Sequence, residues 1–539
     1  MTTTGQSSGR RNATTGRRRA AVGAAVMAAL ALGVAACGSN TKSSTSGAKA
    51  SNGATVILGT TDKIVSADPA GAYDLPSWTL IYNVYQTLLQ VQPGTTAISP
   101  EAASCAWQGT VTYVCTMKAN QRFSNGDALT AADAAFSFQR VLTIKDPNGP
   151  SSLLAPIKTV TASGTQVIFN LTAADSTWPY VLTTAAGALV DQKVFPPNKL
   201  EPDAQVIGSG PYELKSYTPA QLAQFVPNPH YGGSDVLHNK GFIVRYEQDA
   251  STLVSDAQSD AVDIAYRDLT PTELTALSHS RNITLASGKG IEIRYLTFNL
   301  NLMPGTSPAQ KLAVRQAVAY LVNRSSIATN VYQGTVKPLY SLIPSALQGA
   351  TNAYETAYGA SPDLTKAKAA LTAAGVTTPV KFTLWYNTNH YQDTDLATEL
   401  QRELNGSGLF TVSLQTAEWT TYSNAALTDQ YGVFLFGWFP DYPDADDYTS
   451  PFVECSTDFL NDHFCNQQIN TLISQEQSTT AQATRNTAFA QIQTLTAQGV
   501  PVIPLWQGGQ VAAVHSGVSG VQSTLDPSYT FRFWLVGKS

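Results

Sequence analysis

Phe123-Ser-Asn-Gly-Asp-Ala-Leu-Thr-Ala-Ala-Asp133, followed by Phe136-Ser-Phe-Gln-Arg140, is the stretch on which the reading of this 539-residue chain turns. Asn125-Gly126 is a turn dipeptide, because glycine enters backbone conformations that other residues resist. Thr130-Ala-Ala-Asp133 has the spacing of a capping box, in which a hydroxyl and a carboxylate each satisfy a backbone N–H at a helix start. Beyond it, Ala131, Ala134, Phe138 and Val141 recur at helical spacing and predict one apolar face. A strand-like run, Val111–Met117, precedes the turn. Strand, turn and capped helix form a scaffold unit, with no grouping in it suited to chemistry.

The same alternation extends in both directions. Ser307-Pro308 is an N-cap followed by a first-position proline, and Leu312, Val318, Leu321 and Val322 give the helix after it an apolar side. Further helices are expected from Asp363 to Ala374, through Leu396, Leu400 and Leu404 to Gly406, and around Ala481–Gln498. Strand-like runs fall at Thr55–Leu58, Gln166–Leu171, Glu292–Leu300, Lys381–Tyr386, Thr411–Gln415 and Val433–Trp438. Strands alternating with helices predict an α/β protein of more than one lobe. The length predicts two to four structural units. Hydrophobic residues make up 43 % and charged residues only 13 %, which excludes wholesale disorder, and a pI near 5.7 excludes a generic basic nucleic-acid binder.

Motifs of catalysis are missing from the sequence. It has no G-x-S-x-G, no H-E-x-x-H, no phosphate-binding loop and no dinucleotide fingerprint. The six histidines are scattered, and the acidic run Asp441, Asp444, Asp446, Asp447 lacks the glycine and the spacing of a calcium loop. No cofactor and no metal is implied. A carboxylate pair for glycoside hydrolysis leaves no signature, so a secreted hydrolase stays as a minor alternative, with a signalling receptor beside it.

The N-terminus reads as an address. Residues 1–19 carry five arginines and no acid, and Ala20–Ala36 is a small apolar stretch of 17 residues, the layout of a secretory signal. Its rival, a membrane-spanning anchor, would want about 20 apolar residues. Val34-Ala35-Ala36-Cys37-Gly38 resembles the lipobox of bacterial lipoproteins, which implies that residues 1–36 are removed and that Cys37 is lipidated. Sec and twin-arginine export both remain open. Residues 37–53 read as a flexible tether of Ser, Thr, Gly, Ala and Lys. Without residues 1–36, the chain has 28 basic against 38 acidic residues, a net charge of −10. Four further cysteines fall in two close pairs, Cys105 with Cys115 and Cys455 with Cys465. Outside the cytoplasm such pairs point to two local disulfides. Metal binding is the rival reading, without a C-x-x-C to support it.

From about residue 54 onward the chain resembles the family 5 (peptide/nickel/opine-type) extracellular solute-binding proteins of ABC importers. The opening stretch matches the family's F-S-[ND]-G-x-x-[LF]-T-A-x-D signature, with Ala134 where valine is usual. Ala67-Asp68-Pro69, Val84-Tyr-Gln-Thr-Leu-Leu89, Gly208-Ser-Gly-Pro-Tyr212, Asn228-Pro-His-Tyr231, Val314-Arg-Gln-Ala317 with Asn323-Arg324, and Val500-Pro-Val-Ile-Pro-Leu-Trp506 follow in the family's order. Ser259-Asp260 departs from it, standing where a glycine is usual. The resemblance implies a two-lobed fold of the periplasmic-binding-protein type II kind with an inserted subdomain. Lobe I would comprise residues 54–97, 206–292 and 505–539, the insert 98–205, and lobe II 293–504. It further implies a non-enzymatic, lipid-anchored monomer on the outer face of the cell membrane. This monomer would capture oligopeptides between its lobes and hand them to a membrane permease. The alternative ligands within this architecture are an oligosaccharide, a nickel chelate or an opine.

The ligand is expected at Gly437-Trp-Phe-Pro-Asp-Tyr-Pro-Asp444, where an apolar strand runs out into an acidic loop stiffened by two prolines. Trp438 and Tyr442 offer large faces. In the family's peptide binders an aspartate three residues after this tryptophan pairs with the ligand's α-ammonium group, which here falls on Asp441. The main chain of Gly437 and Phe439 would pair with the peptide backbone as with an added strand. Tyr73, Asp74 and Leu75 would form the facing lip, and Trp506 would lie near the pocket. Between Phe382 and Thr484 one basic residue, Arg402, stands against fourteen acids. No cation in that window answers a ligand's carboxylate, so the expected ligand is neutral or cationic at that end, or its carboxylate is met by water or by the other lobe.

Overall fold

Two long antiparallel strands, Ile283–Phe298 and Val502–His515, lie side by side at the centre of the computed structural model. The structure describes residues 53–388, 392–457 and 459–539. The expected signal, Cys37 and the tether up to residue 52 lie outside the described residues. On one flank the sheet continues through Ile264–Tyr266, Val56–Thr60, Phe242–Tyr246, Leu222–Pro227 and Tyr212–Thr218. On the other it continues through Val433–Trp438, Val380–Asn387 and Phe410–Ala417. The ladder between the long strands shifts register between Gly288 and Glu292. Gly290 is required there by close approach, since a Cβ would stand 2.2 Å from the Gly508 carbonyl oxygen.

Each flank has its own apolar core. One gathers Trp78, Tyr212, Phe242 and Phe533, with the last two rings stacked at 3.9 Å. The other gathers Phe298, Val318, Leu384, Leu400 and Ile503 under the helices Pro308–Leu321 and Asp393–Gly406. A third core, with Phe138, Phe169 and Trp178 in ring contact, lies against a four-stranded antiparallel sheet. Its strands run in the order Ala103–Trp107, Thr112–Met117, Gln166–Leu171, Ile157–Ser163. The architecture is thus α/β with two lobes and an added subdomain.

The local signals act as their chemistry dictates. Thr130 and Asp133 cap the helix Ala131–Ile144 reciprocally, and Ser307 caps Pro308–Leu321. The strand expected at Glu292–Leu300 instead begins at Ile283. Its first half lacks apolar alternation and is held by backbone pairing with Gln510–His515. Both cysteine pairs are bonded, Cys105 to Cys115 and Cys455 to Cys465.

The sequence landmarks meet one another in pairs. Arg140 is buried and grips Asp68 with two hydrogen bonds of 2.7 and 2.6 Å. Asn228 donates to the Gly210 carbonyl at 2.8 Å. Arg315 reaches the Gly499 carbonyl and Arg324 the Pro504 carbonyl. Gly208 and Gly210 press on the main chain of Val84, where a Cβ would come within 1.9 and 2.6 Å. Asp260, where glycine was expected, takes the left-handed conformation at φ 60°, which explains why glycine suits that position. These landmarks therefore hold the scaffold together.

Candidate ligand-binding site

The strand Val433–Trp438 is buried through Phe436 and then emerges. Asn299 donates to the Gly432 carbonyl. This sets the parity of the antiparallel ladder. The main-chain groups of Phe434, Phe436 and Trp438 turn toward Ile283–Phe298, and those of Leu435 and Gly437 turn the other way. On that other side the neighbouring strand Val380–Asn387 pairs only as far as Phe434. The Leu435 carbonyl accepts from the Tyr422 hydroxyl, and the Gly437 carbonyl accepts from the Tyr295 hydroxyl at 3.3 Å.

The loop that follows is braced from below. Asp444 accepts from the Asp446 amide at 2.9 Å and starts the short turn Ala445–Tyr448. Arg485, itself buried, holds Asp444 through two hydrogen bonds of 2.8 and 2.6 Å and Glu476 through two of 3.0 and 2.8 Å. Asp447 accepts from the Trp438 indole at 3.1 Å and from the Asp441 amide at 3.0 Å, fixing both relative to the turn. Burial pushes the Asp447 carboxyl well up, with the nearby Asp441 charge adding to it. Burial also pushes Asp441 up to about 7, opposed by the hydrogen bond from Tyr73.

Tyr73, the residue expected at the facing lip, donates its hydroxyl to the Asp441 carboxylate at 2.7 Å. Leu75 shares an apolar cluster with Trp438 and Phe439. Asp74 caps the helix Leu75–Val84 by accepting from the Ser77 amide, and burial raises its carboxyl to about 6. Trp506 stands with its ring 5.5 Å from the Arg294 guanidinium, which in turn lies 5.8 Å from the Phe439 ring. Gly437 lies under the same guanidinium, where a Cβ would come within 1.6 Å of its Nη1. Tyr442 is directed elsewhere. Its ring stacks on Tyr180 at 6.0 Å within the core of the four-stranded subdomain, and its hydroxyl reaches Asp446.

Two cations beside Phe439, and the acids that pair with them, escaped the sequence reading. Arg267, in ion contact with Asp62 at 2.8 Å, places its guanidinium 5.1 Å from the Phe439 ring. Arg294 pairs with Glu292 at 3.0 Å and approaches Asp393 at 3.9 Å. Burial pushes Glu292 up to about 7, against the pull of Arg294 and Arg267, and Asp393 up to about 6. The signal that could have exposed two of them is the charged pair Glu292 and Arg294 inside an otherwise apolar strand. Cations do face this site, but from segments outside the acidic window 382–484. Behind Phe439 opens a cavity of about 120 Å³ bordered by Glu292, Tyr332, Trp506 and Tyr529.

Among the described residues no His, Cys, Asp and Glu are grouped to hold a metal, and no helix is long and apolar enough to cross a membrane. The family model of bacterial extracellular solute-binding proteins, family 5, matches residues 97–459. This chain belongs to that family. The family 5 protein is 24 % identical over 484 residues to the probable D,D-dipeptide-binding periplasmic protein DdpA of Escherichia coli, covering 86 % of this chain and 90 % of that one. It is also 24 % identical over 543 residues to heme-binding protein A of Haemophilus influenzae, covering 92 % and 96 %. In fold it is similar to the ABC transporter-associated periplasmic binding protein DppA of Helicobacter pylori, solved with the peptide STSA. The TM-score there is 0.76 at 19 % identity, over 90 % of this chain and 98 % of that one. Such relatives are binding proteins rather than enzymes.

Proposed function

We propose that this protein captures oligopeptides outside the cell membrane for an ABC importer. The observation that carries the reading is Asp441. Its carboxylate lies just past a strand whose Gly437 main chain turns away from Ile283–Phe298, toward the side where strand pairing has stopped, and its present partner is a hydroxyl, Tyr73, from the expected facing lip. A peptide ammonium displacing that hydroxyl would meet an anion already positioned by Asp447, with the peptide backbone alongside Gly437 and Phe439. The relatives named for a dipeptide and solved with a peptide support the same ligand class. Lobe I would comprise residues 54–97, 206–292 and 505–539, the insert 98–205, and lobe II 293–504. The register shift between Gly288 and Glu292 would lie at the joint between the lobes. Lipidation of Cys37, after removal of residues 1–36, would hold the monomer at the membrane, with a permease as its partner.

The test is mass spectrometry of ligand released from purified, unfolded protein. Peptides of mixed sequence are expected. A haem, a sugar or a metal chelate as the sole released species overturns the reading.

A further inference from the structure

We propose that the cavity behind Phe439 receives the basic side chain of a lysine or arginine in the ligand, so that the protein selects cationic peptides. The inference rests on the peptide reading above and adds a substrate class to it. At about 120 Å³ the cavity is far larger than the ~10–15 Å³ that admits a single water. Phe439, Trp506, Tyr332 and Tyr529 wall it with aromatic faces, which suit a methylene stem and a cation above a ring.

Its polar lining carries buried acceptors without a matching donor, alongside an unmatched Trp506 indole N–H and the Arg267 guanidinium, which Asp62 already holds at 2.8 Å. Glu292 is 5 % exposed, and its Oε1 has no hydrogen-bond partner among the described residues; the Arg294 contact at 3.0 Å lacks hydrogen-bond geometry. Gln392 Oε1, on the same cavity, and Asp393 Oδ1, beside it in sequence, are buried acceptors in the same condition. Buried acceptors left unmatched are unfavourable, and a ligand group rich in N–H donors removes that penalty. The charges agree. Among the described residues of the cavity wall, Asp268 and Glu292 stand against one cation, Arg267, which Asp62 holds from outside at 2.8 Å. An ammonium or guanidinium supplies both the donors and the missing charge. A carboxylate supplies neither, and an alkyl chain leaves the acceptors as they are.

The experiment is isothermal titration of the full mature chain, freed of co-purified ligand. The probes are tri-alanine peptides carrying lysine at each position in turn, each with its norleucine counterpart, and an arginine–citrulline pair. At one position the basic peptide is expected to bind at least tenfold more tightly than its neutral counterpart. In Glu292→Gln that ratio is expected to fall to within about threefold of unity, with Asp393→Asn as a second variant should the first fail to fold. Equal affinities at every position in the wild type overturn the cavity assignment and leave peptide capture standing. A lysine advantage that survives substitution at both acids overturns it as well. If no peptide binds, the reading beneath it falls, and the assignment with it.

Discussion

Replacing Asp441 by asparagine removes one charge at nearly constant shape, and its effect can be worked out from the site. A hydrogen bond to a charged partner contributes roughly 1.5–3 kcal/mol, so peptide affinity should fall about 10–150-fold. The carboxyl is pushed up to about 7 by burial. Free protein at pH 6 therefore carries ~0.9 of a proton there, which an arriving ammonium must expel. At pH 8 the site is already ionised, while a peptide amine of pKa about 7.7–8.0 is half neutral and must take up ~0.5 of a proton. The net proton exchange on binding should thus change sign between pH 6 and pH 8. Titration calorimetry in two buffers of different ionisation enthalpy counts those protons directly. In Asp441→Asn the release at pH 6 should vanish and the uptake at pH 8 should remain. The same carboxyl affects stability without ligand. The folded chain keeps a proton up to about pH 7 that the unfolded chain loses near 4, so stability falls as pH rises through that window and levels off above it. Release near zero at pH 6 in the wild type, unchanged by the substitution, would refute the ammonium site.

Three other outcomes follow from the geometry. Arg485→Met leaves Asp444 and Glu476 buried without their cation, and should destabilise the fold by roughly 3–5 kcal/mol in denaturant titration; a loss below ~1 kcal/mol would mean the clamp is idle. Gly437→Ala drives a methyl into the Arg294 guanidinium, at 1.6 Å in the present geometry. It should lower stability by about 1–3 kcal/mol and weaken peptide binding, both read from a ligand-shifted thermal melt. Replacing Cys105 and Cys115 by alanine opens a loop with a sequence separation of 10 and should cost ~2–3 kcal/mol, with peptide affinity unchanged.

Much of the fold was legible because its signals are local. The Thr130–Asp133 capping box and the helix-starting Ser307-Pro308 need only neighbouring residues to act. The site was legible in part. Tyr73 and Asp441 stand 368 positions apart, and nothing in either stretch alone points to the other; a family likeness put both at the ligand but did not pair them. Glu292 and Arg294 lie in a strand whose neighbours read as core. Arg267 and Asp268 adopt left-handed conformations at φ 74° and 55° that no local pattern foretells. Tyr442, expected beside the ligand, shows the limit most plainly. A large aromatic between two prolines has no intrinsic direction, and its packing against Tyr180 is decided by a segment far away in sequence.

That packing has an energetic consequence. Tyr442 on Tyr180, with the Ser176 amide bonded to the Gln477 carbonyl at 2.7 Å, ties the segment bearing the acidic loop to the four-stranded subdomain through contacts that include no ligand atom. Such contacts favour the drawn-together arrangement whether or not the cleft is filled. Every 1.4 kcal/mol they add raises the share of empty, drawn-together molecules tenfold relative to separated ones. If ligand is captured between the lobes as proposed, its affinity would rise with that share, and the contrast between loaded and empty protein would shrink. On that reading, the strength of these contacts would set a trade between holding cargo tightly and announcing it clearly.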